Sequence, residues 1–237
     1  MEIPKTNWKS LLKEINKTRQ YYREIAKESK IWAVEKDFVE LSKVSGPELP
    51  DWIQGETLYQ IYLRAFTENG TFTAAKEKLP YLCDLGIRFI WLMPIYPVGQ
   101  IDKKGSKGSP YAVSDHFTVN PEFGTEQDFI DFMQTAHKMG MHVILDMVVN
   151  HVAPDYNQPQ YFLRDEQGQP ARKIEDWSDV VDLDYNKPET RKHVLDVLKF
   201  WVEKYNIDGY RCDVAGLVPL DFWEDAIPKV NKKKENL

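Results

Sequence analysis

Apolar positions open the chain at helical spacing. Trp8, Leu11, Leu12, Ile15, Tyr22, Ile25 and Ala26 follow one face, and Ile31, Val34, Phe38 and Leu41 continue the period in a second stretch. The spacing predicts two amphipathic helices, an N-terminal helical extension over residues 1–50 that ends at the breakers Gly46, Pro47 and Pro50. Beyond that break the pattern alternates. Short apolar runs rich in β-branched and aromatic residues predict strands at 58–63, 87–93, 142–148 and 209–213. Between them the period returns to that of helices, at 73–85, 126–139 and 189–205, with a last helix from 220 to about 230. Gly86 and Gly140 stand where a helix stops before the next strand, and Thr125 stands where one is capped. Four βα units in succession predict an α/β fold with a parallel sheet covered by helices.

Two connections exceed ordinary turns, 94–123 and 152–186. Both leave the C-terminal ends of predicted strands, the edge on which α/β barrels and open doubly wound sheets alike place their ligands. The expected organisation is therefore units one to three over 51–151, a small inserted domain over 152–186, and a fourth unit with its helix over 187–237. No glycine-rich phosphate loop follows any strand, which argues against nucleotide binding.

Composition narrows the function classes. An apolar fraction of 42% with 13% aromatics supports a sizeable core over most of the 237 residues. The formal charge of -6 comes from 31 basic and 37 acidic residues spread along the chain, so no footprint for nucleic acid or an anionic membrane is present. No run of about 18 uninterrupted apolar residues occurs, and the first residues lack an apolar signal core, which gives a cytoplasmic expectation. Cys83 and Cys212 fall inside apolar segments and read as small buried hydrophobes.

Candidate chemistry collects at the strand ends. In LDMVVNH, residues 145–151, Asp146, Val148 and Asn150 share a face by period two, and His151 begins the following loop. An aspartate in an apolar strand requires a partner, and Arg211 on the neighbouring strand supplies one; a structural ion pair and a substrate contact both fit Asp146. In GYRCD, residues 209–213, Arg211 and Asp213 face the same way, so the guanidinium favours an ionised carboxylate at the strand end. Such a carboxylate suits a nucleophile or a stabiliser of an oxocarbenium-like centre. The long loop adds Tyr111, Asp115 and His116; Tyr111 reads as a loop anchor or as a platform for a sugar ring.

Four ordered motifs then resemble the α-amylase family of glycosidases, glycoside hydrolase family 13, from about residue 55 to 230. YQIYLRAF at 59–66 is similar to the family's first barrel strand, SPYAVSDHFTVNPEFGT at 109–125 to its tyrosine-bearing loop, DMVVNH at 146–151 to its first conserved region, and GYRCDVAGLVP at 209–219 to its second. VDLDYNKPE at 181–189 resembles the segment that closes the small inserted domain. The resemblance implies a (β/α)8 TIM-type barrel of which the chain carries the first four βα units, with an inserted domain after the third strand. It implies a retaining α-glucan hydrolase or transglycosylase acting on α-linked oligosaccharides or polysaccharides. Asp213 is then the nucleophile, Arg211 its ionising partner, and His151, Tyr111, Asp115 and Asp146 substrate-binding residues, Asp115 also tying the loop to the neighbouring arginine. No cofactor is required. Asn150 and Asp184 stand where many members ligate a structural calcium, although the insertion shows no clear further carboxylate ligand.

The departures have consequences. Pro110 replaces the family's glycine and His116 its tyrosine, both tolerable changes, whereas Gly216–Leu217 replace its Lys-His, so contacts beyond the cleaved bond are expected to differ. The family's general acid glutamate belongs to a fifth strand, which the chain does not reach. Glu224, on a predicted helix, is no substitute. The chain alone is thus expected to show little or no turnover and to self-associate through open sheet edges. The alternative is a non-catalytic carbohydrate-binding or interaction module built on the same half fold.

Overall fold

The computed structural model describes residues 53 and 55–233. The predicted helical extension over 1–50 lies outside them. Four parallel strands form the central sheet: β1 (Leu58–Ile61), β2 (Phe89–Leu92), β3 (His142–Met147) and β6 (Gly209–Cys212), in the order β1-β2-β3-β6. Each sits inside its predicted segment and ends one or two residues early. β1 stops at Ile61 because Leu63–Phe66 already coils into a helical turn, α1.

The helix expected over 73–85 is two helices, α2 (Phe72–Lys76) and α3 (Leu79–Asp84). Pro80, in the first turn of α3, lacks the amide proton that a continuous helix would donate to the Lys76 carbonyl, and its ring crowds that carbonyl. α4 (Glu126–Lys138) opens on a reciprocal cap, in which Thr125 Oγ1 accepts from Asp128 N at 3.1 Å and Asp128 Oδ2 accepts from Thr125 N at 2.8 Å. Gly140, at φ +72°, ends it in the left-handed conformation that a side chain resists. α5 (Pro188–Tyr205) precedes β6, and α6 (Leu220–Asn231) follows it.

Sheet register decides what faces what. Ile90, Leu92, Val143, Leu145 and Met147 point to one side, where the helices cover them to 1% exposure or less. That side joins Phe72, Phe129, Phe132, Val197, Leu198 and Trp201 in one core cluster. The opposite side carries Leu58, Gln60, Phe89, Trp91, Ile144, Asp146 and Arg211 and is unevenly covered: Phe89, Ile144 and Asp146 are buried, whereas Leu58 is 44% exposed. β1 and β6 are the sheet edges among the described residues, and an apolar cavity of about 540 Å³ lies beside β6, lined by Tyr210, Cys212, Trp223 and Ile227 among others.

The long connections rise from the C-terminal edge. In the insertion, β4 (His151–Val152) pairs antiparallel with β5 (Val181–Asp182), so the segment returns to the residue that follows the third βα strand. Cys83 and Cys212 are unpaired and partly rather than fully buried; burial pushes the Cys212 thiol up to about 12. No helix among the described residues is long and apolar enough to cross a membrane.

Candidate active site

β3 and β6 pair with Asp146 directly across from Arg211, and this register builds the site. Arg211 Nη1 lies 3.0 Å from Asp146 Oδ1 and 2.7 Å from Asp213 Oδ1, so one guanidinium nitrogen bridges two carboxylates. Its carbon also stands 5.1 Å over the Trp91 ring. Asp213 comes one residue after β6 and continues the ladder by donating its amide proton to Met147 O at 2.9 Å. The chain then turns sharply through Val214 at φ +41°, ψ +40°, a left-handed position that costs a β-branched residue on the order of 1–3 kcal/mol. That strain sits one residue beyond Asp213.

Asp213, Tyr111 and His151 line one cavity of about 270 Å³, together with Lys104, Ser109, Trp177, Asp179, Val180 and Val214. The Asp213 side chain is 14% exposed, which leaves it shielded yet reachable. Tyr111 is half-buried and donates its hydroxyl proton to Asp146 Oδ2 at 3.1 Å; burial and that charge raise its pKa, so it remains a donor. His151 meets Trp177 edge to face at 5.2 Å. Burial lowers its pKa, and the Asp213 carboxylate pulls the other way.

Three expected residues occupy different places. Asp146, a candidate for substrate contact, is fully buried and does not line the cavity. It accepts from Arg211, from Tyr111 and from Trp91 Nε1 at 3.2 Å, and so holds three neighbours in position. Burial raises its pKa, opposed by the Arg211 guanidinium. Asp115 does not tie its loop to an arginine among the described residues; it accepts from Phe117 N at 2.8 Å and Thr118 Oγ1 at 3.1 Å, a local turn that uses both oxygens. His116 is buried between Tyr156 and the Val148 carbonyl, at 3.0 and 2.7 Å, away from the cavity.

The calcium positions do not fit that ion. Asn150 Nδ2 faces His151 Nδ1 at 3.2 Å, and the Asp184 carboxylate accepts from Asn186 N at 3.1 Å with Lys187 Nζ at 3.6 Å. Calcium takes about 6–8 oxygens, and no group of three or more His, Cys, Asp or Glu side chains converges among the described residues. Glu224 is exposed on α6, clear of the cavity.

Trp91, Lys104, Trp177 and Asp179 are site residues that the sequence reading passed over. Trp91 was within reach, because period two places it on the Asp146 side of the sheet. The other three lie in the aperiodic insertions, where no local signal singles them out.

Residues 60–180 and 174–236 match the family described as Alpha amylase, catalytic domain. The crystal structure of an α-amylase from Lactobacillus plantarum superposes with a TM-score of 0.72 at 44% identity, over 75% of this chain and 43% of that one. That of a noncanonic maltogenic α-amylase from Thermotoga neapolitana gives 0.72 at 42% identity, over 77% and 44%. An α-amylase of Haloarcula japonica is 28% identical over 193 residues, 75% of this chain and 28% of that protein. The chain therefore spans less than half the length of these relatives, and its parallel sheet is the first half of a (β/α)8 barrel. Because the match runs from β1 through both insertions to α6, the elements that carry the cavity included, the chain belongs to the α-amylase catalytic-domain family of glycoside hydrolases.

Proposed function

We propose that this chain carries the nucleophile-bearing half of a retaining glycosidase or transglycosylase that acts on α-glucans. The observation that carries the reading is Asp213, presented at the end of β6 with Arg211 Nη1 at 2.7 Å, inside a cavity shared with Tyr111 and His151. In the proposed reaction Asp213 attacks the anomeric carbon as the glycosidic C–O bond breaks, and an acid protonates the departing oxygen. Water or a sugar hydroxyl then releases the glycosyl ester. Tyr111 and Trp177 offer apolar ring surface to the sugar, and His151 offers a nitrogen to a hydroxyl. The chemistry asks for no cofactor, since a carboxylate and a proton donor suffice.

Among the described residues the cavity holds two carboxylates, Asp213 and Asp179, and the second is paired with Lys104 at 3.0 Å. Asp213 is the proposed nucleophile and Asp179 is held by Lys104, so neither is free to serve as the general acid. We therefore expect turnover by the chain alone to be lower by about 100- to 10,000-fold than with an acid in place. The open edges of β1 and β6 favour self-association, and the two free thiols favour a reducing compartment such as the cytoplasm.

Calorimetric titration with maltotriose, with product analysis of the same samples, tests the reading. Wild type and Asp213→Asn should both bind, and any slow hydrolysis should vanish in Asp213→Asn. Failure of wild type to bind contradicts the sugar reading, and hydrolysis that survives Asp213→Asn removes Asp213 as nucleophile. Binding without any covalent chemistry at Asp213 would favour the carbohydrate-binding module.

A further inference from the structure

The cavity beside Asp213 is walled by two segments that leave different strands. Residues 94–123, after β2, contribute Lys104 and Ser109; residues 152–186, after β3, contribute Trp177 and Asp179. Lys104 joins them. Its Nζ lies 3.0 Å from Asp179 Oδ1 and 3.1 Å from the carbonyl oxygen of Asp176. The Asp179 side chain is 6% exposed and Lys104 50% exposed, so the ammonium reaches in from the mouth to a carboxylate that has little water of its own.

These two bonds fall on either side of Trp177, the residue between them that lines the cavity. Its turn is also held by Trp177 N to Ile174 O at 3.2 Å, Val180 N to Trp177 O at 3.1 Å and Arg172 Nη1 to Trp177 O at 3.0 Å. Beneath, Ala112, Ala153 and Val180 form a small buried cluster on which Trp177 packs, with one member from the first segment and two from the second. Apolar packing thus brings the insertions together, and the ion pair fixes their register at the mouth.

We propose that Lys104 and Asp179 form a latch that closes the two insertions over the cavity and fixes Trp177 as the wall against which a glucosyl ring rests. Lys104 and Asp179 are positioning residues; Trp177 determines which ring fits beside Asp213. The role toward sugar rests on the α-glucan reading, whereas the latch itself does not.

Hydrogen exchange on the full chain tests the latch without any ligand. Lys104→Met and Asp179→Asn should each speed exchange of the Trp177 and Val180 amides by about 10-fold, the double variant should be no faster than either single, and Lys104→Arg should match wild type. Unchanged exchange in both single variants overturns the latch. Maltotriose titration then tests the wall. Lys104→Met and Asp179→Asn should weaken binding by about 10-fold, Trp177→Ala by at least as much, and Lys104→Arg should restore it. A purely structural pair would lower Tm and leave Kd in place, and that result overturns the positioning role. If wild type binds no maltotriose, the sugar reading falls while the exchange result still decides the latch.

Discussion

The two faces of the central sheet differ in how finished they are. On the covered face Ile90, Leu92, Val143, Leu145 and Met147 are packed to 1% exposure or less under helices. On the other face, built from the alternate residues of the same strands, Leu58 is 44% exposed and Arg211 keeps 37% of its side chain in contact with solvent. Polar groups divide in the same way. The open face holds the charged set of Asp146, Arg211 and Asp213. The covered side holds a closed network in which the Tyr156 hydroxyl lies 3.0 Å from His116 Nδ1 and 2.7 Å from His193 Nε2. Burial pushes both imidazoles down to about 4, so they are neutral at pH 7. The candidate site differs from this neutral cluster in keeping its charge beside an opening.

The largest expected effect comes from exchanging like for like across the faces. Leu92→Ala, on the covered face, should cost about 2–5 kcal/mol in urea unfolding, the range for deleting a well-packed leucine. Leu58→Ser, on the open face, should change stability by no more than about 0.5 kcal/mol and should reduce concentration-dependent association on size exclusion. Equal costs for the two would erase the distinction. So would a wild-type chain that elutes as a compact monomer at every concentration.

A graded effect should follow pH through the covered network. His116 and His193 have folded pKa values below the ordinary 6.5, at about 4. Between those values the unfolded chain binds protons that the native chain refuses. Stability should therefore be full above pH 6.5 and decline as pH falls toward 4. Urea midpoints measured from pH 7.5 to 4.5 check this, and replacement of His193 by glutamine should shallow the slope. A midpoint independent of pH across that interval would show that the network is not held neutral by burial.

The sequence made much of this arrangement legible, for identifiable reasons. Strand alternation was enough to pair Arg211 with Asp146 and to bring Asp213 to the sheet edge, because register follows from period two. Tyr111 and His151 stood out by their place at the strand ends and in the long loop, motif likeness gave them roles, and the structure places both on the Asp213 cavity. Asp115 was assigned too far a reach: an aspartate two and three residues before free donors closes its own turn first. The break at Pro80 stood in the sequence, but apolar periodicity on both sides of it concealed the interruption. Lys104, Trp177 and Asp179 were not legible, since their meeting depends on two aperiodic insertions that fold toward each other although Lys104 and Asp179 stand 75 positions apart.

The central claim is that Asp213 is a glycosyl nucleophile already in place in this half of the barrel. α-Maltosyl fluoride tests it most directly, because fluoride departs without protonation and the reaction then asks nothing of a general acid. Among the described residues the other carboxylate of the cavity, Asp179, is held by Lys104, so the glycosyl ester should persist long enough to be seen. Mass spectrometry of the digested chain should show a maltosyl adduct on the peptide that contains Asp213, and none on Asp213→Asn. No adduct, or one that forms equally on Asp213→Asn, would contradict the claim.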